Sequence, residues 1–110
     1  MTLRYGLIGS GMMGQEHIRN LNLLEGCTVT AVADPDEGMR ARSADLAGGA
    51  QGFADYKEML SAAACDVLLI GAPNDTHHGI LMDVLDTPLP VLCEKPLCTT
   101  SRHCREVLAK

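Results

Sequence analysis

The feature that most constrains this chain is a set of three glycines near the N-terminus, Gly9, Gly11 and Gly14. They form the pattern G-x-G-x-x-G directly after the apolar run 3–8. The first glycine of such a pattern permits a tight turn out of a strand. The second leaves room for a phosphate at the backbone, and the third lets the next helix pack close to the strand. The pattern therefore predicts a strand, a phosphate-binding turn and a helix, in that order.

The residues on either side of the glycines fit a strand and a helix. The preceding run, 3–8, is short and mostly apolar, which is typical of a buried strand. The following segment has a helical repeat that ends before Gly26. The residues of this predicted helix face are Met13, His17, Leu21 and Leu24. We interpret Met12 as a residue that shapes the loop, Met13 as a core residue, and His17 as a packed helix residue rather than a catalytic base.

An acidic residue ends the second predicted strand. The apolar run 28–33 leads into Asp34, which lies 20 residues after Gly14. At this distance a carboxylate can accept both hydrogen bonds from the ribose diol of an adenosine, although Asp34 can also serve only as a turn residue. A carboxylate favours NAD because it repels the 2′-phosphate of NADP. Arg40 and Arg42 are close enough in sequence to keep NADP possible.

Strand and helix signals alternate along the rest of the chain. Further strands are predicted at 51–53, 66–70 and 91–93. Further helices are predicted at 39–46 after a turn at 35–38, at 55–63 from an Asp55 cap, at 75–85, and at 99–110 from a Thr99 or Thr100 cap. Such alternation implies right-handed crossovers. We predict an α/β fold with a Rossmann-type doubly wound parallel sheet.

Composition argues against several classes of function. The net charge is −5 and the basic residues are scattered, which disfavours nucleic acid and anionic membrane surfaces as partners. No apolar run approaches the length of a membrane span. The cysteines are odd in number and irregularly spaced, so we expect reduced thiols in a cytoplasmic protein and no metal site. They are Cys27, Cys65, Cys93, Cys98 and Cys104.

Polar and glycine-rich segments fall where the predicted strands end. Besides the glycine turn and Asp34, these segments are 72–74 and 94–96. In an open α/β sheet the carboxyl ends of the strands converge on the ligand crevice. The sequence therefore predicts a dinucleotide site at this edge of the sheet.

Three sequence signatures occur in order along the chain. Residues 6–17 read GLIGSGMMGQEH, residues 72–77 read APNDTH, and residues 93–97 read CEKPL. Together they resemble the nucleotide-binding domain of the Gfo/Idh/MocA oxidoreductase family over essentially the whole chain. The resemblance implies binding of NAD or NADP, and hydride transfer to or from a secondary alcohol or carbonyl of a sugar or polyol.

The resemblance also implies roles for individual residues. Lys95 would be catalytic, because its ammonium can bind the substrate oxygen and stabilise charge there. Without the resemblance it would be a solvated lysine at a strand end. Glu94 would orient that region, Pro73 and Asn74 would line the nicotinamide side, and His77 would support the turn. The cofactor-binding residues implied are Gly9, Ser10, Gly11, Met12, Met13, Gly14, Asp34, Ala72, Pro73, Asn74, His77, Glu94, Lys95 and Pro96.

Members of the family have a second, larger α+β domain after this one, which supplies much of the sugar pocket and through which subunits usually associate. We expect residues 1–110 to form the NAD(P)-binding domain alone, truncated before the sixth strand and that α+β domain. Three functions stay open at this point. The chain could be the cofactor domain of a sugar or polyol dehydrogenase, a dinucleotide-binding or sensing module without turnover, or a fragment inactive without a second domain.

Overall fold

Five parallel strands form one sheet with helices on both faces in the computed structural model, which describes residues 2–110. The N-terminal half contains β1 (Leu3–Ile8), α1 (Met12–Asn22), β2 (Cys27–Ala33), α2 (Glu37–Leu46) and β3 (Gln51–Phe53). The C-terminal half contains α3 (Tyr56–Ser61), β4 (Val67–Ile70), a 3-10 turn (Asn74–Thr76), α4 (His77–Val84), β5 (Val91–Cys93) and α5 (Ser101–Leu108). The predicted order of elements is confirmed.

The strand order is β3-β2-β1-β4-β5, so the chain winds outward in both directions from β1. The strand ends are level: Ile8 pairs with Ala33 and with Ile70, Ala33 pairs with Phe53, and Ile70 pairs with Cys93. The residues that follow these ends therefore share one edge of the sheet. The doubly wound fold is confirmed, and its switch point lies between β1 and β4, where such sheets bind ligands.

Two apolar layers hold the sheet between its helices. On one face, α1 and α2 cover a layer that includes Leu7, Val32 and Leu69. On the other face, α3, α4 and α5 cover a layer that includes Ile70 and Met59. Burying side chains of this size stabilises the fold by about 1.5–3 kcal/mol each. The buried strands are rich in Val, Leu, Ile and Ala, as in other parallel sheets covered on both faces.

The buried stripe of α1 differs from the predicted one. Gly14, Ile18 and Leu21 face the sheet, whereas Met13 is exposed and His17 is only partly buried. Leu21 was predicted correctly, but Met13 and His17 were not, because Ile18 takes the position that the spacing assigned to His17. Leu24, also predicted for this face, is exposed beyond the end of α1. In the observed stripe Gly14 faces β1, and because it has no side chain the helix can pack close to the strand.

The helix caps place the helix starts. Asp36 accepts a hydrogen bond from the Met39 amide, so α2 begins before Gly38 and the predicted turn at 35–38 is shorter. Asp55 caps α3, which ends earlier than predicted, at Ser61. Of the two threonines proposed as caps for α5, Thr100 does so.

The packing of α4 against α5 corrects one further expectation. His77 and His78 are adjacent and face different sides of a helix, so the sequence predicts that His78 is exposed to solvent. Its ring instead stacks on that of His103, with 3.9 Å between ring centroids, and its Nε2 lies 3.1 Å from a carboxylate oxygen of Glu106. Because α5 packs against α4, the side of α4 that carries His78 is also partly covered.

Candidate functional site

A cleft of about 870 Å³ opens at the edge of the sheet where the strands end. It lies between the first turns of α1 and α2 and the loop after β4. Several residues predicted for the site line it: Gly9, Ser10, Gly11, Met12, Met13, Asp34, Ala72 and Pro73. The remaining predicted residues, Gly14, Asn74, His77, Glu94, Lys95 and Pro96, lie outside this lining.

The three positions of the turn differ in why they hold a glycine. Gly9 has φ +94°, and a Cβ there would lie 2.5 Å from the Ala72 backbone. A Cβ on Gly14 would lie 2.4 Å from the carbonyl oxygen of Gly9. At Gly11 a Cβ would meet no atom within 4 Å. Packing therefore requires Gly9 and Gly14, whereas the space at Gly11 opens into the cleft.

The start of α1 is suited to an anion. Gly11 is the N-cap residue and supplies no side-chain cap, and the first turn contains no acidic residue. The first amide groups of a helix have no partner within it, and they point toward its N-terminus together with the positive end of the dipole. A phosphate at Gly11 would meet these amides without a competing side chain.

Asp34 is held firmly at the end of β2. Its Oδ2 accepts hydrogen bonds from the Ser10 amide at 2.8 Å and the Ser10 hydroxyl at 3.0 Å. Its Oδ1 accepts a hydrogen bond from the Asp36 amide at 2.8 Å. These contacts fix the carboxylate beside the glycine turn. A role only in the following turn does not account for the two bonds from Ser10.

Two further residues complete this arrangement. The side chain of Ser10 is fully buried, so within the lining it acts by orienting Asp34. The Arg40 guanidinium donates a 2.9 Å hydrogen bond to the main-chain carbonyl of Asp34, and its stem packs over Gly52. The sequence alone left Arg40 as a candidate ligand for the 2′-phosphate of NADP. The structure ties its Nη1 to the backbone at the end of β2.

A second, smaller pocket of about 120 Å³ lies at the end of β5. His17 of α1 lines it together with Glu94 and Lys95, and the His17 Nε2 donates a hydrogen bond to Glu94 Oε1. Lys95 is exposed to solvent. Sequence reasoning missed this pair, because only the fold brings together two residues so distant in the chain.

His77 connects the two loops that carry the remaining predicted residues. Its ring is fully buried. Nδ1 lies 2.7 Å from the carbonyl oxygen of Pro96, and Nε2 lies 2.9 Å from that of Ala72. The residue thus supports the loops after β4 and β5 from behind, while Asn74 is exposed at the start of the 3-10 turn.

The sequence did not predict the aromatic residue that lines the cleft. Tyr56, the first residue of α3, lines the cleft, and its hydroxyl donates a hydrogen bond to the carboxylate of Asp83 in α4. Burial together with this carboxylate raises the pKa of the Tyr56 hydroxyl above its ordinary value. The ring is therefore anchored as a neutral phenol.

The cysteines of the chain are free thiols. Burial raises the pKa of the Cys93 thiol to about 11 and also raises the pKa values of Cys65 and Cys98. These three are therefore poor nucleophiles at neutral pH. Within residues 2–110, no three His, Cys, Asp or Glu side chains converge so as to hold a metal ion, and no helix is long and apolar enough to cross a membrane.

Comparison with known proteins identifies the family of this chain. Residues 3–110 match the family described as oxidoreductase, NAD-binding Rossmann fold. The chain belongs to the Gfo/Idh/MocA oxidoreductase family. Among curated relatives, inositol 2-dehydrogenase of Leifsonia xyli subsp. xyli is 40% identical over 107 residues, which cover 96% of this chain and 31% of the relative. Inositol 2-dehydrogenase of Corynebacterium glutamicum strain R is 39% identical over 101 residues, covering 91% of this chain and 30% of the relative.

Solved structures show the same fold. The myo-inositol dehydrogenase of Lactobacillus casei, in complex with NAD(H) and myo-inositol, superposes with a TM-score of 0.94 at 30% identity over 99% of this chain and 33% of its own. The myo-inositol dehydrogenase of Corynebacterium glutamicum ATCC 13032 superposes with a TM-score of 0.91 at 29% identity, over 100% of this chain and 33% of its own. The chain thus spans about a third of the length of the relatives it matches and corresponds to their NAD-binding domain.

Proposed function

We propose that residues 1–110 bind NAD in the cleft and form the cofactor domain of a dehydrogenase acting on a sugar or polyol. The observation that carries the proposal is the pairing, on one sheet edge, of the open turn at Gly11 with the fixed carboxylate of Asp34. A dinucleotide needs both features, an uncrowded amide-lined turn for its pyrophosphate and a carboxylate for its adenosine ribose.

The acceptor capacity of Asp34 supports a ribose contact. A carboxylate offers about four lone-pair sites. Ser10 and Asp36 occupy three of them with their amide and hydroxyl groups, which leaves one on Oδ1. A ribose hydroxyl can donate to that site while the protein holds the carboxylate still.

The surroundings of Asp34 favour NAD over NADP. A 2′-phosphate would bring negative charge beside this carboxylate, which is unfavourable at short distance. The nearest cation, Arg40, already donates to the Asp34 carbonyl. To bind a 2′-phosphate, the guanidinium would have to give up that hydrogen bond or use its remaining N–H groups past Asp34.

The proposed catalytic residue, Lys95, lines the second pocket. Bound NAD would supply the acceptor for a hydride. Within the described residues no carboxylate pairs with the ammonium of exposed Lys95, so this group is available to donate a hydrogen bond to a substrate oxygen. Glu94, fixed by His17, orients the backbone from which Lys95 projects. The inositol 2-dehydrogenase relatives point to a polyol such as inositol as the substrate of the complete protein.

Turnover and binding are tested separately. Purified chain is titrated with NADH by nicotinamide fluorescence, then incubated with NAD and a panel of polyols that includes myo-inositol while NADH formation is followed. Lys95→Met is the matched variant, because it keeps the length of the side chain and removes the ammonium. Saturable binding with turnover that Lys95→Met abolishes supports the catalytic proposal.

Two other outcomes correspond to the alternatives. Saturable binding without turnover on any polyol supports a dinucleotide-binding module whose catalysis, if any, depends on residues outside this chain. This outcome has a specific basis, since the relatives are about three times as long. A folded chain that binds neither NADH nor NADPH contradicts the proposal.

A further inference from the structure

Three methionines border the cleft, and their exposure is unusual for this residue type. Met12 is 86% exposed, Met13 51% and Met39 41%, and all three line the cleft. We refer to them as the cleft methionines. By contrast Met59 is fully buried in the core, and Met82 is partly buried against it.

The cleft methionines lie at the starts of two helices that border the expected cofactor site. Met12 and Met13 are the first two residues of α1, where the helix amides face a phosphate. Met39 lies in the first turn of α2, whose N-cap, Asp36, follows Asp34 closely. The three residues therefore line the parts of the cleft in which the pyrophosphate and the ribose are expected to bind.

Oxidation would change what these side chains offer a ligand. Methionine sulfoxide is polar, and its oxygen is a strong hydrogen-bond acceptor on a formerly apolar side chain. At the start of α1 such an oxygen competes with phosphate oxygens for the same amides, and its partial negative charge opposes theirs. On the cleft wall it replaces an adaptable apolar contact with a group that must be hydrated.

We propose that Met12, Met13 and Met39 form an oxidation site through which hydroperoxides weaken dinucleotide binding. The sulfur lone pair attacks one oxygen of hydrogen peroxide, the O–O bond breaks, a sulfur–oxygen bond forms, and a proton shift releases water. Sulfur loses two electrons and the peroxide gains them. The loss of affinity rests on the proposed NAD site, whereas the order of oxidation rests on exposure alone.

Three of the cysteines, Cys65, Cys93 and Cys98, do not pre-empt this chemistry. Peroxide oxidises cysteine through the thiolate, which is the attacking nucleophile. Burial keeps Cys65, Cys93 and Cys98 protonated because it raises their pKa values. A thioether has no proton to lose, so its reactivity follows exposure. The most exposed thioethers of the described residues are those in the cleft.

The experiment follows oxidation and binding on the same samples. The chain is treated with hydrogen peroxide with and without saturating NADH, and peptide mass spectrometry follows every methionine and cysteine over time. Buried Met59 is the internal control. Each sample is then freed of peroxide and nucleotide, checked for folding by circular dichroism and titrated with NADH. We expect the cleft methionines to oxidise at least about tenfold faster than Met59, NADH to slow them, and the oxidised, folded chain to bind NADH about tenfold more weakly.

Two comparisons connect the modification to the loss of affinity. Methionine sulfoxide reductases should restore binding, because this oxidation is reversible. In a chain carrying Met12→Leu, Met13→Leu and Met39→Leu, peroxide should leave the affinity at the value measured before treatment, whatever that value is. Unchanged affinity in the oxidised wild type, or oxidation of Met59 as fast as that of Met12, overturns the inference. If untreated protein binds no NADH, the proposed function fails and the effect on affinity fails with it.

Discussion

The carboxylate of Glu94 at the end of β5 accepts a hydrogen bond from His17, 77 positions earlier in α1. This contact joins the helix that starts at the glycine turn to the loop that carries Lys95. The two parts of the predicted site, which line different pockets, are thereby held in one rigid frame.

Removing the His17–Glu94 contact should cost stability in proportion to its partial burial. We expect Glu94→Gln to lower the free energy of unfolding by about 1 kcal/mol, measured by urea denaturation at neutral pH. The control is Glu16→Gln, which removes the exposed ion pair with Arg19 and should cost less than about 0.5 kcal/mol. Equal effects would mean that the contact contributes nothing specific.

Alanine at two of the glycines should separate folding from binding. Gly14→Ala places a methyl group against the Gly9 carbonyl, so we expect a loss of about 2 kcal/mol or more in thermal or urea unfolding. Gly11→Ala should fold normally, because nothing lies within 4 Å of the new Cβ, but should weaken NADH binding at least about tenfold. Normal NADH binding by folded Gly11→Ala would argue against a pyrophosphate at this turn.

His77 should matter far more to stability than its neighbour. His77→Ala opens a buried space and leaves the carbonyls of Pro96 and Ala72 without their partner, so we expect a loss of about 3 kcal/mol. His78→Ala removes a partly buried ring and should cost about 1 kcal/mol. Urea denaturation of both variants tests this, and a smaller loss for His77→Ala than for His78→Ala would contradict the loop-support role.

Stability at acidic pH should depend on Asp66. The Arg4 amide and guanidinium donate hydrogen bonds to this carboxylate and hold its pKa below the usual value. A carboxyl whose pKa is lowered on folding contributes stability above its unfolded pKa. That contribution is lost as the pH falls below about 4. Urea denaturation across this range should show a smaller pH dependence for Asp66→Asn than for the wild type; identical curves would contradict the prediction.

The order of elements and the edge of the sheet at which the cleft opens followed from the sequence. Strands 3–8, 51–53 and 91–93 were predicted with the bounds that the structure gives them, because short apolar runs between glycines, prolines and caps leave little choice. The carboxyl-edge residues Gly11 and Asp34 were placed correctly at one edge, because parallel strands of one sheet end together.

Contacts across the fold could not be predicted. Nothing in the local sequence links His17 to Glu94, Tyr56 to Asp83, or Arg40 to a main-chain carbonyl. The predicted orientation of Met13 was also wrong, because a methionine fits either face of a helix. Only the close packing of Gly14 on β1 sets the rotation of α1.

The most direct test of the central claim is a titration of the wild-type chain and Asp34→Ala with NADH and with NADPH. Both proteins are first shown to be folded by circular dichroism. We predict saturable NADH binding by the wild type, weaker NADPH binding, and for Asp34→Ala a loss of NADH affinity of at least about tenfold with a shift in preference toward NADPH. A folded wild type that binds neither nucleotide, or an Asp34→Ala variant with unchanged affinity and preference, would contradict the assignment of this cleft as the NAD site.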